Sequence, residues 1–436
     1  MATTDNRPNA AGNTGENGSA LSDALLRQLI AVGHVDILVG LPTLNNAATI
    51  LDVVRAIHVC FTRDFPRLRT VMINSDGGST DGTPEMIRTA SFTEEDVVQT
   101  SHSLRTHHRV VVPYHGLPGK HAALRTVFAA GELAQAKVVV VIDPNGPATT
   151  AERVTELIGP ISRSDADFLA PRYRRHPRDG VLITQLVRPF VRALYGVALD
   201  EPLGAEFACS GRFASHCLEQ DIWSHDAVRF AIDLWLRTEA VAERFTVGQI
   251  WRPATTAAGM RTTLREAVHQ VVLSLVESLR AHESFWLNAN GIQTLHTWGT
   301  DSMVAPDVVA WDHRALAEQA RHDISQIAAL LQDVLEPGVL AQVLDDNVGA
   351  GLPLQDELWV RIVYAFAARA RQGRIGVGQL ADMFAPLYMW RAAAFASHTA
   401  LESPDMVQAR LDSLCKTFER LKPVLVANWA NWSAKS

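Results

Sequence analysis

The sequence predicts an α/β fold with a mainly parallel sheet and helices on both faces, followed by an all-helical C-terminal region. Between residues 35 and 170, short apolar runs of strand type alternate with amphipathic segments of helical spacing. This alternation is typical of parallel strands joined by crossover helices. Beyond Thr263 only helical stripes recur, which predicts helices packed together without a sheet.

The first part of the chain is expected to contain five buried strands with helices between them. The strands are predicted at residues 35–41, 70–74, 109–113, 137–142 and 167–170. The helices are predicted at residues 21–30, 47–61, from 83 onward, 121–133 and 150–158. Asn46 is a candidate N-cap of the second helix, because asparagine accepts hydrogen bonds from the free N–H groups of a helix start. Two more helices, at residues 181–195 and 227–241, flank a loop at 201–207.

The C-terminal region begins with a helix-start signal. Thr263 and Glu266 have the spacing of a capping box, and apolar stripes recur at 316–334, 358–368 and 406–421. We therefore expect a disordered tail at residues 1–20, an α/β domain at 21–262 and a helical domain at 263–436.

Composition excludes several classes of protein. The 436 residues are 47% hydrophobic and 20% charged, which is ordinary for a soluble globular chain. The net charge of −7 without a basic block argues against a nucleic-acid surface. No apolar run approaches the ~20 residues that a membrane helix needs, and the first residues do not resemble a signal peptide. The four cysteines form no C-x-x-C pair, so a cytoplasmic protein is expected.

The turn after the second strand carries the clearest polar pattern in the chain. The stretch N-S-D-G-G-S-T-D-G-T at 74–83 follows an apolar run directly. Ligands of open parallel sheets lie at this edge, and Asp76 and Asp81 offer acceptors to a sugar hydroxyl or a base N–H. No G-x-G-x-x-G follows the first strand and no G-x-x-x-x-G-K-[ST] is present, which disfavours a dinucleotide enzyme and a P-loop NTPase.

Five motifs in order resemble nucleotide-sugar glycosyltransferases of the GT-A fold. They are L-P-T-L-N-N at 41–46, the stretch at 74–83, P-Y-H-G-L-P-G-K at 113–120, E-P-L-G-A-E-F at 201–207 and D-I-W-S-H-D-A-V-R-F-A-I-D-L-W at 221–235. The similarity is to the family 2-like group that includes glucosyl-3-phosphoglycerate synthase and mannosylglycerate synthase. It implies transfer of a hexose from a sugar nucleotide, such as UDP-glucose or GDP-mannose, to a small acidic acceptor with retention, and a possible homodimer.

The resemblance also implies roles for individual residues. It assigns nucleotide binding to Leu41, Pro42, Thr43, Asn45, Asp76, Gly119, Lys120 and Asp143. It assigns the donor sugar and acceptor to Leu203, Gly204, Ala205, Glu206, Gly180 and Thr184, and catalysis to Asp233, Glu206 and Lys120. At a helix start, the ammonium group of Lys120 and free N–H groups would both favour a diphosphate. Other interpretations remain open, namely a solvated lysine, and an Asp233 paired with Arg229 or Arg237.

The acceptor segment departs from part of the group. Val181 stands where phosphoglycerate-using members carry an arginine, which argues against that acceptor and leaves a glycerate-like hydroxy acid. The arginines at 172, 174, 175 and 178 either recognise an acidic acceptor or form a solvated basic loop.

The metal motif departs as well. Members of this fold end the fourth strand with Asp-x-Asp, whereas this chain has Asp143-Pro144-Asn145. Asn145 offers an oxygen without charge, so Mg²⁺ or Mn²⁺ binding should be weak. Relatives supply a histidine ligand after a later strand, yet residues 249–260 contain none.

Two interpretations follow. Either the chain is a working glycosyltransferase, with a weak metal site or with Lys120 and an arginine such as Arg252 or Arg261 replacing the cation, or it is catalytically silent. A silent homologue would bind a sugar nucleotide or a protein partner as a regulatory or scaffold subunit. An interaction module built on the helical region is a third class without a motif to support it.

Overall fold

The computed structural model describes residues 21, 23–90, 108–113, 120–146, 149–224, 232–253, 263–300, 312–345 and 354–430. The expected tail at 1–20 lies outside them. The strands are Ile37–Thr43 (β1), Thr70–Asp76 (β2), His108–Pro113 (β3), Val138–Val141 (β4), Phe168–Tyr173 (β5), Val197–Ala198 (β6), Phe207–Ser210 (β7), Val247–Arg252 (β8), Gln293–Thr294 (β9) and Thr297–Trp298 (β10). Eight of them form one sheet in the order β10-β8-β5-β7-β4-β1-β2-β3.

The sheet is parallel except for one strand. Strand β7 runs antiparallel to both of its neighbours, β4 and β5, while the other pairs in this sheet are parallel. All five predicted strands are present, and β8 lies where the resemblance implied a later strand, whereas β6, β7, β9 and β10 were not predicted. Strands β6 and β9 form a separate parallel pair. The predicted class of a mainly parallel α/β sheet is confirmed.

Fifteen helices accompany the sheet in the described part of the chain. They are Asp23–Val32 (α1), Ile50–Asp64 (α2), Thr83–Thr89 (α3), Lys120–Leu133 (α4), Ala151–Ser162 (α5), Arg188–Tyr195 (α6), Gly211–Leu218 (α7), Ile232–Ala242 (α8), Leu264–Ala281 (α9), Glu283–Asn288 (α10), His313–Leu331 (α11), Pro337–Leu344 (α12), Asp356–Gln372 (α13), Val377–Thr399 (α14) and Pro404–Ala430 (α15). A π-helical stretch, Ile183–Val187, leads into α6. None of the described helices is long and apolar enough to cross a membrane.

Two helix starts test the capping predictions. The Thr263 and Glu266 capping box is present, with both reciprocal hydrogen bonds formed. The prediction of Asn46 as an N-cap is wrong, because α2 begins at Ile50 and its N-cap position is Thr49. The side chain of Asn46 instead contacts Leu44 and Asn145, so it is not available to the helix.

Both faces of the sheet are covered, and alternate strand residues supply the two cores. Val139 and Val141 of β4 face one core, while Val138 and Val140 face the other. The second core is closed by α2 and α5. The first core contains α1, α4, α7 and α8 and continues into the C-terminal helices, so the helical region packs on that face. The predicted all-helical C-terminal region is confirmed, apart from the two-residue strands β9 and β10.

A glycine brings α4 close to the sheet. A Cβ atom at Gly40 of β1 would lie 2.5 Å from Cγ1 of Val127, well inside van der Waals contact. Only glycine permits this approach, which fixes α4, and with it Lys120 at its first position, over the carboxyl end of β1.

Candidate functional site

A cavity of about 330 Å³ lies at the carboxyl edge of β1 and β4, beside the starts of α4 and α8. Its described lining residues are Pro42, Thr43, Leu44, Asn46, Gly77, Lys120, Ala123, Ile142, Asp143, Asn145, Ala205 and Asp233. Parallel strands deliver their following loops to a common edge, which explains why residues from 42 to 233 meet here.

The structure brings together seven of the predicted site residues. Pro42, Thr43, Lys120, Asp143, Asn145, Ala205 and Asp233 all line the cavity. The other described site residues do not line it, namely Leu41, Asn45, Asp76, Gly180, Thr184, Leu203, Gly204 and Glu206. The side chain of Leu41 is fully buried in the core between β1 and α2. Gly119 lies outside the described residues.

An ion pair crosses the cavity wall between α4 and α8. Lys120 Nζ lies 2.7 Å from Asp233 Oδ1 and 2.8 Å from Oδ2, and it donates to the carbonyl of Ala205 at 2.9 Å. The two side chains are 24% and 11% exposed. Lys120 is thus a half-buried, paired lysine and the one cation among the described lining residues. Its three N–H groups all face protein acceptors.

Asp76 organises its own loop. Its carboxylate accepts hydrogen bonds from the hydroxyls of Thr43 and Ser79 and from the backbone N–H groups of Gly78 and Ser79. Only 5% of Asp76 is exposed. The described structure therefore shows Asp76 shaping the floor of the cavity rather than presenting free oxygens to it.

Asn46 joins three loops beneath the cavity. Its backbone N–H donates to Thr83 Oγ1 at 2.9 Å, and its Oδ1 accepts from the N–H of Leu44 at 2.8 Å. Its Nδ2 donates to Asn145 Oδ1 at 2.7 Å. The sequence analysis missed this role, although an N-N pair directly after a strand is a turn signal that could have indicated it.

Buried Arg237 fixes the loop at 201–206. This arginine is fully buried one helical turn after Asp233, and it donates to the carbonyls of Asp233 at 2.7 Å and Gly204 at 2.6 Å. Its Nη1 also lies 3.9 Å from Asp233 Oδ1, so the pairing of Asp233 with Arg237 is present as a second, longer contact. Burial lowers the pKa of Arg237, and the charge of Asp233 opposes that shift. The i, i+4 spacing from Asp233 is the signal that pointed to this residue.

A further arginine holds the end of the same loop. Arg252 Nε donates to Glu206 Oε1 at 2.7 Å, and its Nη1 donates to Glu156 Oε2 at 3.0 Å. Glu206 therefore acts as a partner of Arg252, and neither lines the cavity. Arg252 is 3% exposed and engaged, so it does not replace the cation there. Arg261 lies outside the described residues.

Two of the four arginines at 172–178 are paired with nearby carboxylates. Arg172 Nε pairs with Asp200 at 2.9 Å, and Arg175 Nε pairs with buried Glu201 at 2.9 Å. Burial raises the pKa of Glu201, and the guanidinium of Arg175 opposes the shift. These two arginines are thus neither a solvated loop nor an open acceptor site.

The predicted acceptor residues lie beside this cluster. Gly180 has a φ of +62°, and a Cβ there would lie 3.2 Å from the side chain of Arg175. Thr184 is the second residue of the π-helical stretch and is 9% exposed, and its hydroxyl has no hydrogen-bond partner among the described residues.

The donor set fits a divalent cation poorly. Asp143 Oδ1 accepts from the backbone N–H of Asn145 at 2.9 Å, and the carbonyl oxygen of Asn145 already accepts from Asn46. The described residues contain no group of three or more His, Cys, Asp or Glu side chains placed to hold a metal. Mg²⁺ is usually held by one or two carboxylates together with waters and substrate phosphates, and this site offers one carboxylate and one amide oxygen that already accepts from Asn46.

Comparisons with known proteins give fold-level likeness. No family model matches the chain, and no curated protein matches it in sequence. The structure is similar to glucosyl-3-phosphoglycerate synthase from Mycobacterium tuberculosis in complex with phosphoglyceric acid, at 22% identity over 59% of this chain and 84% of that one, with a TM-score of 0.41. For the same enzyme with Mn²⁺, UDP and glucosyl-3-phosphoglycerate, identity is 21% over 62% and 87%, with a TM-score of 0.41.

A second enzyme is similar to a comparable degree. Mannosyl-3-phosphoglycerate synthase from Rubrobacter xylanophilus is 16% identical over 60% of this chain and 79% of that one, with a TM-score of 0.39. At this level of likeness, the function proposed next stands on the chain's own residues.

Proposed function

We propose that this chain is a glycosyltransferase that moves a hexose from a nucleoside diphosphate sugar to a small hydroxy acid. The observation that carries the proposal is the cavity at the carboxyl edge of the sheet, in which Lys120 faces Asp233. An ammonium group favours a leaving diphosphate, and a carboxylate favours an approaching hydroxyl.

The diphosphate of the donor would replace Asp233 as the partner of Lys120. Lys120 has no N–H group without a protein acceptor, so a diphosphate must displace Asp233 from it. Once displaced, the carboxylate of Asp233 is free to accept a hydrogen bond from the acceptor hydroxyl. Donor binding thereby prepares the base, and without a donor the carboxylate stays neutralised.

The proximity of Asp233 to Lys120 supports transfer with retention of the configuration at the anomeric carbon. In the transfer, the acceptor oxygen forms a bond to the anomeric carbon while the bond from that carbon to the diphosphate oxygen breaks. The hydroxyl proton passes to Asp233. Because Asp233 lies beside Lys120, an acceptor that it holds approaches from the face that the diphosphate leaves.

Charge stabilisation is assigned to the protein rather than to a cation. Because the donor set around Asp143 and Asn145 fits a metal poorly, we derive no step through one. Asp143 and Asn145, which line the same cavity, would also contact the donor. The acceptor class rests on the resemblance of the segment at Gly180 and Thr184, and the homodimer rests on that resemblance alone.

The alternative is a catalytically silent homologue that binds a sugar nucleotide or a partner protein. The observation that favours it is the hydrogen bond from Asn46 to Asn145, because it occupies the oxygen that would otherwise face a cation. Such a protein would bind the nucleotide and would not turn over.

Calorimetric titration tests the proposal. UDP, GDP, UDP-glucose and GDP-mannose are titrated with and without Mn²⁺ into the wild type and Lys120→Met. We expect one nucleotide to bind without Mn²⁺ and to lose about tenfold or more in affinity in the variant. Lys137→Met is the control, since Lys137 is 71% exposed and lies at the opposite end of β4.

The outcomes separate the candidates. Release of free nucleotide from a bound sugar nucleotide in the presence of glycerate supports the transferase. Binding of a sugar nucleotide without release of free nucleotide supports the silent homologue. If no nucleotide binds under either metal condition, the transferase is excluded and the homologue that binds a partner protein remains.

A further inference from the structure

A second cavity of about 380 Å³ lies where the C-terminal helices meet the segment that follows β5. Its described lining residues are Gln185, Leu354, Gln355, Asp356, Arg391, Ala394, Phe395, His398, Thr399 and Arg410. It shares none of them with the first cavity, and the proposed transfer uses no residue in it.

The inner wall is formed by a buried arginine. Arg391 of α14 is 6% exposed, and its Nε donates to Gln185 Oε1 at 2.9 Å. Its Nη1 donates to the carbonyl of Leu354 and its Nη2 to Asp356 Oδ1, both at 2.6 Å. A guanidinium carries five N–H groups in a fixed plane, so these contacts leave two for another acceptor.

The rim is formed by a second arginine and a histidine. Arg410 pairs through Nε and Nη2 with Glu402, and its Nη1 has no hydrogen-bond partner among the described residues. His398 also lines the cavity, and its Nδ1 lies 2.8 Å from the carbonyl of Ala394. Arg178 contacts the backbone carbonyl of Glu402 from the segment after β5.

Positive charge exceeds negative charge around this cavity. Among the described residues, three guanidinium groups, those of Arg178, Arg391 and Arg410, face two carboxylates, those of Asp356 and Glu402. Hydrogen bonds from Arg410 lower the pKa of Glu402, and His398 and Arg178 contribute to that shift, so these groups act on one another.

We propose that this second cavity binds a small oxyanion, a phosphate or carboxylate group of a metabolite. Arg391 and Arg410 both line it and each has N–H groups without a hydrogen-bond partner among the described residues, and a planar guanidinium matches the oxygens of such a group. The volume holds a ligand larger than phosphate itself, with Leu354, Ala394 and Phe395 as its apolar wall.

Occupation would tie three parts of the chain together. Gln185 lies in the π-helical stretch, directly after Thr184, while Asp356 begins α13 and Arg391 belongs to α14. A bound oxyanion would therefore stabilise the junction between the helical region and the segment at 178–187. The proposal does not depend on the activity at the first cavity.

Isothermal titration with inorganic phosphate at constant ionic strength tests the site in the full chain. We expect saturable binding of one phosphate per chain, weakened about tenfold or more by Arg410→Gln. His398→Gln, which leaves every arginine in place, is expected to weaken binding as well. Arg420→Gln is the matched control, because Arg420 is exposed on the same helix and pairs with Glu357.

A further control separates the two cavities, because phosphate also suits Lys120. Lys120→Met should bind phosphate at the second cavity as the wild type does. The absence of saturable binding overturns the proposal. So does an affinity that Lys120→Met abolishes while Arg410→Gln and His398→Gln leave it unchanged, because phosphate would then occupy the first cavity.

Discussion

Both carboxylate oxygens of Asp233 contact the ammonium group of Lys120, at 2.7 and 2.8 Å. The two residues are 113 positions apart in the chain and join the first turn of α8 to the first turn of α4. A diphosphate and Asp233 therefore compete for one cation, and this competition predicts opposite effects of one substitution on binding and on transfer.

Asp233→Asn should bind UDP more tightly than the wild type, by roughly threefold to tenfold, because the amide no longer neutralises Lys120. Transfer should fall by about a hundredfold or more, because the amide is no base. Calorimetry measures the first effect, and release of nucleotide from a sugar nucleotide measures the second. Weaker UDP binding in this variant would contradict the exchange.

Asn145→Asp should create a metal site. A second carboxylate beside Asp143 supplies charge that the amide lacks, and Asn46 can still donate to one of the two new oxygens. We expect Mn²⁺ affinity to rise about tenfold or more, measured by calorimetry without nucleotide. Asn145→Gln is the control, since it keeps the amide. Equal Mn²⁺ affinity in the two variants would show that charge at this position is not limiting.

Arg237→Met should lower the free energy of unfolding by about 3 kcal/mol, because the carbonyls of Gly204 and Asp233 lose a buried donor. Denaturant unfolding measures the loss. Arg212→Met is the control, because Arg212 is 71% exposed in its pair with Asp167, and its loss should cost less than about 1 kcal/mol. Similar losses in both variants would show that Arg237 is not the anchor of this loop.

Glu239 should make the free energy of unfolding depend on pH in the acid range. Burial by itself raises the pKa of Glu239, but hydrogen bonds from His282 and His216, both at 2.7 Å, outweigh it and hold the pKa below 4.5. Since the unfolded chain binds this proton more readily, the stabilisation is complete above pH 4.5 and is lost as the pH falls toward the lowered pKa.

The measurement is the free energy of unfolding between neutral and acid pH for the wild type and Glu239→Gln. The free energy of unfolding of Glu239→Gln should fall less at acid pH than that of the wild type. Glu132→Gln, at an exposed position, should follow the wild type. If Glu239→Gln and the wild type decline in parallel, another group controls the acid transition.

The strands that sequence analysis identified are those whose signal is local. Strands β1, β2 and β4 are buried on both faces, and they contain the continuous apolar runs 37–41, 71–73 and 138–141. Strand β7 has four residues and owes its place to insertion between β4 and β5, a pairing that chain order does not indicate.

The position of the site in the fold was predictable from the sequence, whereas the contacts of its side chains were less so. Motifs at strand ends placed Pro42, Thr43 and Asp143 at one edge, because strand direction alone decides that. Asp76 and Glu206 were assigned to ligands, yet their oxygens are engaged by Thr43 and Arg252, respectively. Whether a polar side chain faces a ligand or a neighbour depends on contacts between distant segments, which residue type does not specify.

The hydrogen bonds of Asn46 have a consequence for the speed and entropy of binding. They connect the loops after β1, β2 and β4 through the protein's own atoms. The conformational entropy of these loops is therefore lost when the chain folds and not when a nucleotide arrives. A ligand that meets this floor should associate without a slow ordering phase, and its binding should carry a small entropic penalty from the backbone.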